Sequence, residues 1–385
     1  MDIAIVKCKD YSAPNVSDSL NKLLELMGGL DWITPGMKIV IKVNLVAPMK
    51  PDSAATTHPA LLCKLVKILC DKGADVVIGD SPGGIYTSAF VNKVYSTTKM
   101  TDIIKFGGKL NQNFEQKTAF FEKGKILKEF EYTAFLDEAD VIINFCKLKT
   151  HGMMGMSAAT KNLFGTIPGT LKPEYHFKYP NHLDFADMLI DLNEYFRPKF
   201  CIVDAVVGME GNGPTAGKPR HIGAILASTD PYKLDLACAK LIGLTKEDVT
   251  TLEAAFKRNL IPETANELSC NDDLNNYVVK DYDNITVRKS LWFEDKSTLI
   301  GRTITKLLQS KPILDKKNCV GCKKCFEICP AKAITMKNNK PIINRTKCIS
   351  CFCCQEFCPK GAMKVKRPIM AKLLNNSKKT NTKEK

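Results

Sequence analysis

The sequence predicts an α/β domain built on a mainly parallel sheet, followed by a small cysteine-rich domain near the C-terminal end. Apolar, strand-like runs recur along the first 300 residues, segments with helical periodicity separate them, and one cysteine pattern occurs twice near the end. Strands that alternate with helices are typical of parallel sheets covered on both faces. We therefore predict an α/β domain over residues 1–300, a linker over 301–309, a second domain over 310–368 and a basic tail over 369–385.

Five runs have the composition of buried strands: IAIV (3–6), KIVIKVNLV (38–46), DVVIGD (75–80), DVIINF (140–145) and FCIVDAVVG (200–208). Residues 59–73 begin with Pro and end with Gly, which is the usual arrangement at the two ends of a helix. Residues 184–196 have acidic and apolar faces at helical spacing. The less regular region 85–135 is predicted to be an insertion or a meander.

The N-terminal segment MDIAIVKCKD contains an acidic residue and no long apolar run, so it predicts a first strand rather than a signal peptide. No apolar stretch reaches the roughly 20 residues that a membrane-spanning helix needs. The chain has 16 cysteines, and without a signal peptide these favour a reducing compartment over a disulfide framework. We expect a cytoplasmic protein that does not associate with membranes.

The pattern C-x2-C-x2-C-x3-C-P occurs twice in the cysteine-rich domain. Three cysteines of each copy bind one [4Fe–4S] cluster, and the fourth binds the other cluster. The ligands of the first predicted cluster are Cys319, Cys322, Cys325 and Cys358. The ligands of the second are Cys348, Cys351, Cys354 and Cys329. Zinc, the alternative, is usually bound by two CxxC pairs separated by a longer stretch. Cys353 lies outside the pattern and is predicted to be a free thiol.

Residues 310–368 resemble the bacterial two-cluster ferredoxins, with a cysteine at every ligand position. The resemblance implies one-electron transfer at low potential, and a protein that donates or accepts the electrons. The formal net charge of +15 is concentrated here, because residues 302–385 contain 21 Lys and Arg against four Asp and Glu. Nucleic-acid binding is one interpretation. We favour the other, that the lysines offset the negative charge of thiolate-bound clusters.

Two motifs of the α/β domain follow predicted strands, where open α/β sheets bind their ligands. The first is IKVNLV with Lys42 and Asn44, and the second is GDSPGG with Asp80, Gly83 and Gly84. The two glycines would let the backbone approach an anion or a nucleotide. A lysine on an edge strand and a plain tight turn are the alternatives, and both remain open.

The densest motif, NFCKLKTHGMMGMSAATKNLFGTIPG (144–169), combines a histidine with several cations, among them Lys149, His151 and Lys161. So many cations beside an apolar strand favour the binding of a carboxylate or phosphate, and a solvated basic loop is the alternative. The glycine-rich segment 208–221 is predicted to be a loop, with Glu210 and His221 as candidate acid–base groups. The remaining histidines are predicted to be structural: His58, His176 and His182.

Together these motifs resemble domain of unknown function 362, a family often fused to a ferredoxin module. The resemblance spans most of residues 38–245 and implies no established reaction. A more distant resemblance is to lactate-racemase-like proteins, which bind a nickel-pincer nucleotide. The matching positions are His151, Gly155, Lys161 and Pro168–Gly169. In that family the histidine acts in acid–base chemistry and the lysine anchors the cofactor. The glycines that precede this lysine are absent here, so nickel is not carried over.

We predict that four catalytic residues converge on one pocket at the C-terminal edge of the sheet: Lys42, Asp80, His151 and Lys161. Four further residues are predicted to bind an anionic small molecule or nucleotide: Asn44, Gly83, Gly84 and Lys149. The predicted function is an iron–sulfur redox protein, with oxidoreductase activity as one possibility, whose clusters exchange electrons with this site. Two alternatives remain: an electron carrier that docks a partner enzyme, and a non-catalytic protein that uses its clusters for sensing or binding.

Overall fold

The computed structural model describes residues 1–285 and 310–366. The predicted linker (301–309) and basic tail (369–385) lie outside the described residues. The strands are β1 (Ala4–Lys7), β2 (Lys38–Lys42), β3 (Asp75–Gly79), β4 (Lys109–Leu110), β5 (Gln116–Phe120), β6 (Glu129–Thr133), β7 (Val141–His151), β8 (Gly155–Ser157), β9 (Phe200–Glu210), β10 (Lys218–Ser228), β11 (Lys311–Leu314), β12 (Ile334–Lys337), β13 (Lys340–Ile343) and β14 (Met363–Lys366). The helices are α1 (Ala13–Leu26), α2 (Pro59–Asp71), α3 (Ser88–Thr97), α4 (Ala159–Asn162), α5 (Lys172–Lys178), α6 (His182–Phe196), α7 (Pro231–Leu241), α8 (Thr250–Lys257), α9 (Lys324–Glu327) and α10 (Cys353–Glu356).

The main sheet has the strand order β1-β10-β9-β7-β2-β3-β4, and β8 pairs with β7. The neighbours from β9 to β4 are parallel, whereas β10 and β1 are added in antiparallel pairs at one edge. The prediction of a mainly parallel sheet is confirmed. Its parallel part brings the C-terminal ends of β2, β3, β7 and β9 to one edge, where ligands of such sheets bind.

Helices cover both faces of this sheet. Successive strand residues point to opposite faces, so each strand packs against helices on both sides. Phe145 and Ile202 pack with α1, α2 and α3 on one face. Cys146 and Val203 pack with α6, α7 and α8 on the other face. Three of these helices begin at a side-chain cap: the side chains of His58, Asn181 and Asp230 accept backbone N–H groups at the starts of α2, α6 and α7.

The prediction of a loop over residues 208–221 is wrong at both ends of this segment. Here β9 continues to Glu210 and β10 begins at Lys218, so only a short connection separates two paired strands. The glycines misled the prediction because they permit close packing as well as flexibility. A Cβ on Gly208 would approach Ile222 to 2.8 Å, for example. Residues 85–135, predicted to be an insertion or a meander, contain α3, β4 and the hairpin β5–β6.

The C-terminal domain contains two short antiparallel pairs, β11 with β14 and β12 with β13, and the one-turn helices α9 and α10. It packs against the strand ends of the α/β domain through α10. The side-chain amide of Gln355 donates to the carbonyl oxygens of Asn212 (2.9 Å) and Gly213 (2.8 Å). Phe352 is buried in the same apolar core as helices α6 to α8. No helix in residues 1–285 and 310–366 is long and apolar enough to cross a membrane.

Candidate functional site

The eight predicted cluster ligands form two sets, and each set lines one small cavity of the C-terminal domain. The first cavity is lined by Cys319, Cys322, Cys325 and Cys358. The second is lined by Cys329, Cys348, Cys351 and Cys354, together with Cys353. The fourth cysteine of each copy therefore crosses to the other set, as a two-cluster site requires. Soft thiolate ligands around such cavities fit iron–sulfur clusters.

Both crossing cysteines accept a backbone hydrogen bond. The N–H of Ala333 donates to the sulfur of Cys329, and the N–H of Ala362 donates to the sulfur of Cys358, each at 3.2 Å. Backbone donors to ligand sulfurs orient them and tune the metal centre. This matched pair of contacts is a second feature of the cysteine sites that fits clusters.

A third, much larger cavity of about 920 Å³ lies between the two domains. We call it the interdomain cavity. The α/β domain contributes the residues that follow β2, β3 and β7, and the C-terminal domain contributes α10 and the segment up to Gly361. Its volume is at the upper end of the range for small-molecule sites, about 300–1,000 Å³. Cys358 lines both this cavity and the first cysteine-lined cavity.

Two lysines from the densest sequence motif line the interdomain cavity, the buried Lys149 and the half-buried Lys161. The Lys149 ammonium donates to Asn44 Oδ1 (2.6 Å) and to the carbonyl oxygen of Ala55 (2.7 Å). Burial, with a contribution from Lys161, lowers the pKa of Lys149 to about 7. Burial also lowers the pKa of Lys161, which has no hydrogen-bond or ion-pair partner in the described part of the chain.

Lys172, at the start of α5, is a further, half-buried lysine of this cavity and was not predicted as a site residue. Its ammonium donates to the carbonyl oxygen of Ser81 (2.7 Å) and to that of Ile167. Burial lowers its pKa to about 7. All the protein groups that bind Lys149 and Lys172 are neutral oxygens, so neither ammonium is neutralised by the contacts that hold it.

Lys42 and Asp80 form a buried pair at the cavity wall. The Lys42 ammonium lies 2.8 Å from Asp80 Oδ1 and donates to the carbonyl oxygens of Val43 (2.8 Å) and Asn162 (2.9 Å). Asp80 Oδ2 accepts the N–H of Leu45 at 2.7 Å. Asp80 lines the cavity, whereas Lys42 is fully buried and does not. The geometry suits a fixed pair that holds the two strand ends together.

His151 does not line the cavity either, but it contacts a residue that does. Its Nδ1 accepts the N–H groups of Met153 and Met154, both at 3.2 Å, so the ring proton is on Nε2. That nitrogen lies 2.8 Å from Oε1 of Glu356, which lines the cavity. Burial and then Lys161 lower the pKa of His151 to about 4, so the ring is neutral. His151 and Lys161 hold the pKa of Glu356 below its usual range against the effect of burial.

His176 and Ser81 line the cavity, and neither was predicted as a site residue. The Nδ1 atom of His176 and the Oγ atom of Ser81 are buried without a hydrogen-bond partner among the described residues. The His176 ring stacks on Phe185 with a centroid distance of 4.3 Å, and burial lowers its pKa to about 3. A buried polar atom without a partner is rare and calls for an explanation.

The structure therefore places most of the predicted site residues in one region. Those that line the cavity are Asn44, Asp80, Gly83, Gly84, Lys149 and Lys161. Lys42 and His151 contact lining residues from behind, and all the catalytic and binding roles stay predictions. Glu210 and His221 lie elsewhere: Glu210 Oε2 accepts the N–H of Asp283, and His221 Nε2 lies 2.7 Å from the carbonyl oxygen of Lys9.

Two glycines of the 144–169 motif allow neighbouring segments of the cavity wall to pack closely. A Cβ on Gly165 would collide with Asp80 Oδ1, and a Cβ on Gly169 would collide with the carbonyl oxygen of Gly84. On the opposite side, a Cβ on Gly83 would approach the Phe357 ring to 2.9 Å. These close contacts bring the residues after β3 against both α4 and the C-terminal domain.

Comparison with known proteins gives two family matches. A model for a domain of unknown function, DUF362, matches residues 39–240, and a model for a 4Fe-4S dicluster domain matches residues 311–359. A thylakoid-associated protein of Synechocystis sp. is 29% identical over 273 residues, which cover 69% of this chain and 82% of that protein.

Two solved structures are also similar in part. The lactate racemase apoprotein from Thermoanaerobacterium thermosaccharolyticum has a TM-score of 0.38 at 12% identity, covering 61% of this chain and 55% of that one. A protein from Thermotoga maritima has a TM-score of 0.33 at 9% identity, covering 56% of each chain.

Proposed function

The chain belongs to the DUF362 family and carries a 4Fe-4S dicluster domain, and from this premise we propose an iron–sulfur redox protein whose two clusters exchange electrons with a small anionic molecule in the interdomain cavity. The observation that carries the proposal is the position of Cys358. This predicted cluster ligand lines the first cysteine-lined cavity and the interdomain cavity at once. A ligand in the larger cavity would therefore lie beside a cluster, with no helix or strand between them.

The clusters, when bound, supply one-electron transfer at low potential. The residues of the α/β domain bind and orient the anion: Lys149, Lys161 and Lys172 supply positive charge at the strand ends. Such charges act strongly inside a cavity from which most water is excluded. The C-terminal domain closes this site as well as holding the clusters, which supports a single redox unit rather than two independent modules.

A separate electron donor or acceptor protein would bind on the outer side of the first cysteine set. Cys322 is exposed there, and so is its neighbour Lys323. A positively charged surface of this kind attracts an acidic partner and speeds its association. In this arrangement electrons pass between the partner at Cys322 and the cavity at Cys358 through the first cluster.

The proposal is tested on protein purified anaerobically with both clusters. Compounds extracted from the wild type and from Lys161→Met are compared by mass spectrometry, and any compound that depends on Lys161 is added to dithionite-reduced protein freed of excess reductant. We expect that compound to restore the visible absorbance of the oxidised clusters. A compound that binds without changing the cluster spectrum would favour the sensor or binding alternative.

The electron-carrier alternative makes a different prediction for the same samples. In that case the reduced clusters are reoxidised only by a partner protein, and Lys161→Met behaves like the wild type. Lys67→Met provides the matched control, because Lys67 is an exposed lysine whose ion pair with Asp71 lies within α2.

A further inference from the structure

Building on the proposed function, we propose that the ligand of the interdomain cavity is an amphipathic organic acid. Its anionic head binds beside Lys161, His176 and Ser81, and its apolar body lies along the wall formed by residues 46–49 and the C-terminal domain. Two independent features of the cavity support this: a group of buried polar atoms without partners, and a large apolar wall.

The polar end of the cavity contains three side chains that can donate hydrogen bonds and lack a partner among residues 1–285 and 310–366. They are the Lys161 ammonium, the Ser81 hydroxyl and Nδ1 of the His176 ring. Ser81 and His176 are 1% and 2% exposed, so solvent does not satisfy them in the way it satisfies surface groups. Burying such groups unpaired costs free energy, and an anionic acceptor among them would recover it.

The Phe164 ring shows that these groups share one end of the cavity. The Lys161 ammonium lies 5.6 Å from its centroid and the Lys172 ammonium lies 5.9 Å from it. The centroid of the His176 ring is 5.5 Å from the same point. Lys172 in turn contacts the backbone of Ser81 at 2.7 Å. A single carboxylate or phosphate above Phe164 could therefore be surrounded by donors.

The charge balance at this end favours an anion. Asp80 is already paired with Lys42, and Glu356, whose negative charge acts on Lys161, lies 2.8 Å from His151. The ammonium groups of Lys149 and Lys172 are held by neutral oxygens, and Lys161 has no hydrogen-bond or ion-pair partner among the described residues. Burial lowers the pKa values of these lysines, so an anionic partner would favour their protonated, positively charged form.

The rest of the cavity is predominantly apolar and too large for a compact anion. After β2 the wall consists of Val46, Ala47, Pro48 and Met49. The side chain of Ile85 is 64% exposed, and Phe357 of the C-terminal domain also lines the cavity. A body that covers this wall would bind more tightly than the head group alone, because it removes apolar surface from water. A head group alone would leave most of the 920 Å³ unfilled.

The test uses full-length, cluster-loaded protein with oxidised clusters and isothermal titration calorimetry. The probes are decanoate, decan-1-ol, acetate and inorganic phosphate, with decyl phosphate as a second amphipathic anion. We expect decanoate or decyl phosphate to bind at least about tenfold more tightly than decan-1-ol, acetate and inorganic phosphate, which corresponds to about 1.4 kcal/mol. The tighter of the two anions identifies the head group.

Variants distinguish binding in the cavity from adventitious association. Lys161→Met should lose at least about tenfold in affinity for the amphipathic anion. Lys161→Arg should retain part of the affinity, and Lys67→Met should retain all of it. Unchanged iron content and unfolding temperature show that each variant is folded. The proposal is overturned if decan-1-ol equals decanoate, if inorganic phosphate equals decyl phosphate, or if Lys161→Met binds like the wild type.

This outcome is separable from that of the proposed function. Binding is measured without reductant and with probes that have no redox-active group, so it tests only the assignment of the ligand. The extracted compound could bind and yet leave the reduced clusters unchanged, which would contradict only the electron exchange. Conversely, an extracted compound could reoxidise the clusters while every amphipathic anion fails to bind. That result would contradict only the assignment of the ligand.

Discussion

Nε2 of His151, in the α/β domain, lies 2.8 Å from Oε1 of Glu356 in the C-terminal domain. The His151 side chain is fully buried and that of Glu356 is 18% exposed, so this contact joins the two domains behind the cavity wall. Because Nδ1 accepts two backbone N–H groups, the histidine is fixed in one tautomer. His151 therefore positions Glu356, and Glu356 rather than His151 lines the cavity.

Glu356→Ala should destabilise the contact between the domains. The Nε2–H of His151 would lose the carboxylate oxygen that lies 2.8 Å from it, at a cost of roughly 1–3 kcal/mol. The matched control is Glu327→Ala, because Glu327 occupies the equivalent position in the first cysteine repeat but is exposed. Urea unfolding of both variants, with iron content as a check on the clusters, measures the difference. Equal stability of the two variants would contradict the role given to this contact.

Lys42→Met should lower the free energy of unfolding far more than the substitution of a surface lysine. It leaves the Asp80 carboxylate, 3% exposed, without its ammonium partner, and breaking a buried pair in this way costs roughly 3–5 kcal/mol. Lys67→Met, which breaks an exposed pair within one helix, should cost only about 0.3–0.5 kcal/mol. The double variant Lys42→Met with Asp80→Asn should recover part of the stability. A single Lys42→Met variant as stable as Lys67→Met would refute a structural role for the pair.

Sequence reasoning located the α/β side of the cavity because strand ends are recognisable. Asp80 and Lys161 follow apolar strands, and parallel strands bring their ends to one edge. Burial of Lys42 could not be predicted in the same way, because a strand residue next to an apolar run can point to either side of the cavity wall. Its partner Asp80 lies on the neighbouring strand end, and only the sheet order brings the two together.

Two cavity residues, Glu356 and His176, were not predicted from the sequence, and the reason differs between them. Glu356 lies between the predicted cluster ligands Cys354 and Cys358. The sequence around it is therefore explained by the cysteine motif, and nothing in that motif indicates its contact with His151. His176 is on a seven-residue helix without periodicity, and a lone histidine is more often structural. A signal for Glu356 was present, because it is one of only four acidic residues among 21 basic ones after position 301. For His176 we find no such signal.

Cluster content should follow the two cysteine sets. We expect about eight iron and eight sulfide per chain after anaerobic reconstitution. Cys325→Ala should remove one cluster and loosen the domain, since metal binding and folding are coupled in such sites. Cys353→Ala, at a buried cysteine outside the motif, should leave the iron content unchanged. Two zinc ions per chain without acid-labile sulfide would contradict the assignment.

Binding of an amphipathic anion should weaken as the pH rises above about 7. The reason is that Lys149 and Lys172, whose pKa values burial lowers to about 7, must be protonated to attract the anion. The charged groups that face these two lysines are Lys42, Asp80, Lys147, Lys161 and Glu356. A bound anion raises both lysine pKa values, so affinity is highest below pH 7 and falls through the range between the free and bound values.

The slope of this dependence gives the number of protons that are taken up on binding. Each coupled lysine contributes up to about a tenfold loss of affinity per pH unit. Titration with decanoate from pH 6 to pH 9 should therefore show a steeper fall for the wild type than for Lys172→Met, in which one of the coupled groups is removed. The carboxylate of decanoate stays ionised over this range and does not contribute. An affinity that is flat or that increases with pH would mean that these lysines do not bind the anionic head.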